Sequence, residues 1–344
     1  MKSDKHIALI VPGFPKDEAD STCLPAVQHF VRAMAKKVER ITVFSLHYPY
    51  TSETYTWNGV TVHPMKGNNS FWKRKFTLYK TLKTAFSTVH ETSPVDCIHT
   101  FWLNEATTFG AKLAEEYGLP ILATAHGKDV LKENTFLKEL KGKKIRFFCL
   151  SEFQLSYLSK SGIEDVEITP WGIEPMAPDE EKNIDLITVG NLIPLKNVGY
   201  FVRLCKALHA ENANFKALVV GDGPLRKQLE NSVDQAFISS AVKFAGMIDH
   251  EKTMRMIARS KVLIHASNFE GFGMTMIEAL SVGTKVLATP VGVALNNENV
   301  THLTLNLEKD LVLLKELLTQ EPSTPVMYSI DTTVDRYLEI YAGL

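Results

Sequence analysis

The feature that most restricts the fold of this chain is a rhythm. Short apolar runs recur, each followed by a loop and then by a stretch with helical spacing. Residues 6–12, 41–46, 60–63, 95–100, 120–125 and 145–150 read as buried strands, with helices expected at 24–37, 105–117 and 152–160. Strands joined through helices run parallel, because the crossover returns the chain to the end of the sheet it left. The chain is therefore expected to be α/β with parallel sheets. The rhythm restarts after residues 175–183, a polar segment with two prolines. Strands at 184–189, 215–220, 242–244, 261–265 and 285–289 then alternate with helices up to 211, at 225–238, at 250–259, from Met274 onward and at 308–319. A final helix is expected at 331–342. These breaks predict a first domain over 1–174, a linker over 175–183 and a second domain over 184–330. A length of 344 residues agrees with two domains.

Composition excludes several classes of function. The chain is 45% hydrophobic and 22% charged, ordinary for a globular protein with a sizeable core. Its net charge of −1 argues against a general nucleic-acid binder. Cys23, Cys97, Cys149 and Cys205 are scattered and are expected to be free thiols. No spacing of His, Cys and Asp suggests a metal site, so neither metal nor resident cofactor is expected. No signal-peptide pattern precedes the first strand, and no apolar run approaches the roughly 20 residues of a membrane span. The expected location is cytoplasmic.

The densest chemistry lies in residues 268–283. Glu270 and Glu278 are separated by seven residues, and Gly271, Phe272 and Gly273 lead into a helix opening at Met274. Strand, glycine turn and helix start together suit a phosphate group, since the first amides of a helix lack internal partners and carry the positive end of its dipole. His126 follows the strand at 120–125, at the carboxyl end where open α/β sheets bind ligands. His99 ends another strand and reads as structural. Asp129 reads as a helix cap, Ser151 as the cap of helix 152–160, and Asp222 as a turn residue.

Residues 71–90 stand apart. Trp72, Phe76, Tyr79, Leu82, Phe86 and Val89 recur at helical spacing and define one apolar stripe, flanked by Lys73, Arg74, Lys75, Lys80 and Lys83. Two readings stay open: a helix packed on the first domain with a solvated basic flank, or contact with an anionic membrane surface or an anionic acceptor.

Taken in order, the motifs resemble those of the retaining group 1 glycosyltransferases, also called family 4. The Glu-x7-Glu element is Glu270…Glu278. Val220-Gly-Asp-Gly-Pro224 and the glycine–lysine loop Gly190…Lys196 match two more of its motifs, and Thr124-Ala-His126-Gly-x-Asp129 a further one. Residues 166–173 are similar to the family's hinge, with Trp171 in place of Asn. The resemblance covers nearly the whole chain and is strongest over 184–292. It implies the GT-B fold: two Rossmann-like domains facing across a cleft, with the last helix packing back on the first. It also implies transfer of a sugar from a nucleoside diphosphate to a saccharide or lipid-linked saccharide, without metal.

By the same resemblance, Glu278 holds the ribose and Glu270 the sugar hydroxyls. Gly271–Met274 amides hold the diphosphate, Lys196 neutralises it, and His126 meets the sugar. Gly190 and Asn191 border the phosphates, and Gly246, Met247 and Ile248 border the base. Two departures are visible: the loop 16–22 lacks the family's glycine pair, and Asn191 stands where many members have Arg, leaving Arg226 as a candidate second base. Other readings of the resemblance are a nucleotide-sugar epimerase, a sugar phosphorylase, or a nucleotide-sugar binding subunit without activity.

Overall fold

The computed structural model describes residues 2–175 and 180–344, with all side chains there except those of Phe71, Arg74 and Lys75. Residues 176–179 of the expected linker thus lie outside the described residues. The chain divides into two compact units, one running to Glu174 and resuming over Ser329–Leu344, the other spanning Pro175–Tyr328.

The first unit contains β1 (Ser3–Gly13), α1 (Pro25–Lys37), β2 (Val38–Tyr48), β3 (Tyr55–Trp57), β4 (Val60–Pro64), α2 (Phe71–Phe76), α3 (Leu78–Thr92), β5 (Cys97–Phe101), α4 (Glu105–Tyr117), β6 (Ile121–Thr124), α5 (Phe136–Leu140), β7 (Arg146–Cys149), α6 (Glu152–Lys160) and β8 (Val166–Ile168). Its sheet order is β3-β4-β2-β1-β5-β6-β7-β8. Every pairing is parallel except β3 with β4. β1 and β5 flank the point where the strand order reverses. Leu78, Leu82 and Phe86 of α3 and Leu113 of α4 cover one face of the sheet and are fully buried. Each such side chain contributes roughly 1.5–3 kcal/mol by leaving water.

The second unit contains β9 (Ile184–Val189), α7 (Val198–Glu211), β10 (Ala217–Val220), α8 (Arg226–Gln235), β11 (Val242–Gly246), α9 (His250–Ala258), β12 (Ser260–His265), α10 (Met274–Ser281), β13 (Lys285–Ala288), β14 (Val300–His302) and α11 (Leu307–Thr319). Its sheet is parallel throughout, in the order β11-β10-β9-β12-β13-β14. The order reverses between β9 and β12. Loops leaving these neighbours diverge to opposite faces and open a crevice at their carboxyl ends.

The last helix, α12 (Ile330–Ala342), belongs to the first unit. The Thr333 hydroxyl donates to the Pro170 carbonyl and accepts from the Gly172 amide, at 3.0 and 2.9 Å. Tyr337 and Tyr341 are buried, and Phe30 of α1 stacks flat on Trp171 at 4.8 Å. A bulky ring at position 171 is therefore a core element.

Residues 71–90 are corrected in one respect. They form two helices broken at Thr77, and the single stripe divides. Leu78, Leu82 and Phe86 enter the core, whereas Trp72 (69% exposed) and Phe76 (61%) stack on each other at the surface. The break re-aims the preceding turn away from the sheet. Lys83 pairs with Glu116 of α4, and Lys73 donates to the Lys66 carbonyl. Among the described residues, no helix is long and apolar enough to cross a membrane.

Candidate functional site

The site of the second unit grows out of the β9/β12 reversal. β9 is followed by Gly190, whose φ of 147° and lack of a Cβ let the chain turn at once. A Cβ on the neighbouring Gly221 would lie 2.0 Å from the Gly190 carbonyl oxygen. These loops therefore approach more closely than any side chain allows. The chain then passes the exposed Asn191 and forms a short 3-10 turn, Pro194–Lys196, ending in Asn197 in the left-handed region. This turn delivers Lys196.

β12 ends at His265 and delivers the second half. The Asn268 amide donates to the Leu195 carbonyl at 2.8 Å, tying the two loops together. Lys196 Nζ lies 2.5 Å from Glu270 Oε1. Gly271 and Phe272 are buried. The Phe272 carbonyl accepts from the Val293 amide, and a Cβ on Gly292 would lie 2.3 Å from that same oxygen. Gly273, with φ 97°, is the N-cap of α10, and no side chain caps this helix. The first amides from Met274 onward therefore form a positive N-terminus beside Glu270 and Lys196.

Two histidines complete the arrangement. His265 Nε2 lies 2.8 Å from Glu270 Oε1 and 3.0 Å from Ser267 Oγ. His250, the first residue of α9, places Nε2 2.8 Å from Glu278 Oε1, and Glu278 is only 8% exposed. Burial alone would raise the Glu270 carboxyl. The hydrogen bond and charge of His265, with the charge of Lys196, outweigh it and hold the group at about 2.

The remaining predicted residues divide. Gly246 ends β11 with φ 71°, and its carbonyl accepts from the Gly221 amide. Met247 is 70% exposed and Ile248 half-buried. Arg226 is not an uncommitted second base: Asp222 and Glu230 each hold it at 2.9 Å. Asp222 serves its turn, accepting from the Gly223 amide.

In the first unit, His126 follows β6 among Trp102, Trp171 and Phe101, with ring centroids 4.4–5.0 Å away. Burial lowers it to about 3, so it is neutral at ordinary pH, and its buried Nε2 has no hydrogen-bond partner among the described residues. Asp129 is not a helix cap. Its carboxylate gathers the amides of Leu103, Gly127 and His126, fixing the loop that carries the histidine. Ser151 caps α6 as expected from sequence. His99 is structural, bonded to the Tyr341 hydroxyl and to Thr124. The glycine-poor loop after β1 is knotted on Asp20, whose carboxylate accepts from Tyr48, Thr22, Cys23 and Lys16.

His265 and His250 escaped the sequence reading. His265 ends β12, and a polar residue at the carboxyl end of a parallel strand was the signal available; His250 opens α9, past the loop that follows β11, and had no such signal.

Two parallel α/β units with this site have the GT-B architecture. The crystal structure of Anabaena HepE in complex with UDP and glucose superposes at TM-score 0.74 with 16% identity, covering 98% of this chain and 100% of that one. The sequence model for glycosyl transferases group 1 matches residues 174–300, and that for glycosyl transferase 4-like proteins matches 19–156. The chain belongs to the group 1 glycosyltransferases. It is similar to an uncharacterized glycosyltransferase of Methanocaldococcus jannaschii, MJ1178, at 26% identity over 210 residues, covering 59% of this chain and 58% of that protein. A further relative is the GPI3 subunit of the Saccharomyces cerevisiae phosphatidylinositol N-acetylglucosaminyltransferase, 26% identical over 109 residues, with 32% and 24% covered. The matched stretch thus spans under two thirds of these curated relatives.

Proposed function

We propose that the protein is a metal-independent, retaining glycosyltransferase that takes a sugar from a nucleoside-diphosphate sugar to a saccharide or lipid-linked saccharide. The observation that carries this is the 2.5 Å approach of Lys196 to Glu270 beside the uncapped start of α10. In a nucleotide sugar one oxygen separates the β-phosphorus from the anomeric carbon. Groups serving the phosphate and the sugar must therefore be neighbours. A cation and a helix N-terminus for the first, with a carboxylate for the second, meet that requirement.

The roles follow from charge. As the bond from C1 to the diphosphate oxygen breaks, its electron pair stays on the phosphate, where Lys196 and the Gly271–Met274 amides stabilise it. The sugar becomes positive and faces the Glu270 carboxylate. The acceptor oxygen bonds to C1 from the same face, and its proton passes to the departing phosphate oxygen. A carboxyl held at about 2 is ionised at neutral pH and cannot serve as the acid of a two-carboxylate hydrolase. Glu278, positioned by His250, takes the ribose hydroxyls, with Gly246, Met247 and Ile248 toward the base. His126 enters through the family resemblance, its neutral Nε2 being suited to a sugar hydroxyl. HepE, solved with UDP and glucose, supports a nucleotide-sugar donor. The exposed Trp72 and Phe76, in their basic surroundings, support peripheral contact with an anionic membrane.

Slow release of nucleoside diphosphate from a nucleotide sugar without acceptor tests the reading. Wild type should turn over donor at a rate unchanged by EDTA, and Glu270→Ala and Lys196→Ala should each lose ~100-fold or more. Equal rates in wild type and both variants would place the chemistry elsewhere.

A further inference from the structure

We infer that His265 is a positioning residue, which fixes the Glu270 carboxylate so that one chosen oxygen is offered to the donor sugar. The inference rests on the donor site proposed above. His265 is the last residue of β12, at the strand reversal, and only 4% of it is exposed. Its backbone carbonyl accepts from the Thr289 amide at 3.0 Å, and the Thr289 hydroxyl holds the Ser267 carbonyl at 2.5 Å. The ring therefore sits on a fixed frame rather than on the loop it steers.

The ionised Glu270 can only accept, so the hydrogen on His265 Nε2 points at it. His265 Nε2 and Lys196 Nζ both land on Oε1. Among the described residues no hydrogen bond reaches Oε2, which is the oxygen left for a sugar hydroxyl. A diphosphate must share or draw off Lys196. At that moment His265 is the donor that keeps the carboxylate from rotating, and a glutamate has three torsions through which to drift. Burial acts against the charged form of Glu270, and His265 is the leading group opposing it.

The test uses the full chain and whichever of the UDP, GDP and ADP sugars gives the largest thermal shift. His265→Ala should lose ~10–100-fold in kcat for acceptor-free turnover, the scale of a catalytic group displaced by about 1 Å. Its affinity for the free nucleoside diphosphate should be unchanged. The acid limb of its rate–pH profile should move upward, since burial then raises the Glu270 carboxyl. His265→Gln, which presents an N–H at similar reach, should recover most of the rate, and the shorter His265→Asn should not. If His265→Ala keeps its kcat and its acid limb while Glu270→Ala is inactive, the positioning role is wrong and the donor site stands. Equal rates for the Gln and Asn variants would overturn it as well, and they serve if the Ala variant fails to fold. If no nucleotide sugar binds, or Glu270→Ala is fully active, the donor site itself fails and the inference with it.

Discussion

At the scale of the residue, opposite environments set the charge of the key groups. Glu270 is kept ionised by His265 and Lys196 despite its burial, whereas His126 is kept neutral by burial among aromatic rings. The stability consequences differ in their pH windows. The unfolded chain binds a proton at His126 near 6.5 and the folded chain only near 3. The contribution from keeping it neutral is complete above pH 6.5 and is lost as pH falls toward 3. Glu270 goes from 4.5 unfolded to about 2 folded, so its contribution is complete above pH 4.5 and lost below. Each is on the order of a few kcal/mol. Hydrogen exchange should therefore show the first unit losing protection between pH 7 and 5 while the second holds. His126→Phe should remove part of that loss, buried His99 of the same unit, lowered in the same direction, carrying another part, and an unchanged pH dependence in this variant would contradict the environment assigned to His126.

Sequence disclosed these residues unevenly. Glu270, Glu278 and Lys196 carry motif spacing and could be found. The partners His265 and His250 are single residues without motif spacing: His265 meets Glu270 only through the turn of the loop after β12, and His250 meets Glu278 only because α9 packs beside α10. Arg226 looked available because its partners are set four residues to either side, Asp222 in the turn before α8 and Glu230 one turn into it, spacings that sequence alone left unread.

At the scale of the element, long periodic segments were legible. α4, α6 and β9 lie where apolar spacing puts them, and α10 opens at Met274. The short strands β3 and β14 were not foreseen, since three residues carry no period. The break at Thr77 was hidden because the apolar positions continue across it. That break leaves Trp72 and Phe76 outward beside lysines, a composition suited to the headgroup region of an anionic bilayer. Cosedimentation with vesicles of 30% phosphatidylserine at low salt should capture the wild type. Trp72→Ser/Phe76→Ser should weaken partitioning to the vesicles by ~100-fold or more, given that each buried aromatic contributes on the order of 1.5–3 kcal/mol. Equal binding of both proteins, or of neither, would leave this pair as plain surface.

At the scale of the whole molecule, each unit repeats one plan: a sheet parallel apart from the β3–β4 hairpin of the first unit, with a central reversal of strand order and loops gathered at the carboxyl ends. The alternation of strand and helix made the α/β class readable. The last helix, α12, joins the first unit through Tyr337, Tyr341 and Thr333, contacts more than 160 positions away along the chain that no local pattern displays. On the function proposed above, the β9/β12 reversal of the second unit holds a nucleoside-diphosphate sugar. Calorimetric titration of the wild type, Lys196→Ala and Glu278→Ala with the preferred nucleotide sugar tests it most directly. One site per chain is expected, with a loss of affinity of ~10-fold or more in each variant, the scale of one charged hydrogen bond. Undiminished affinity in both variants would contradict it.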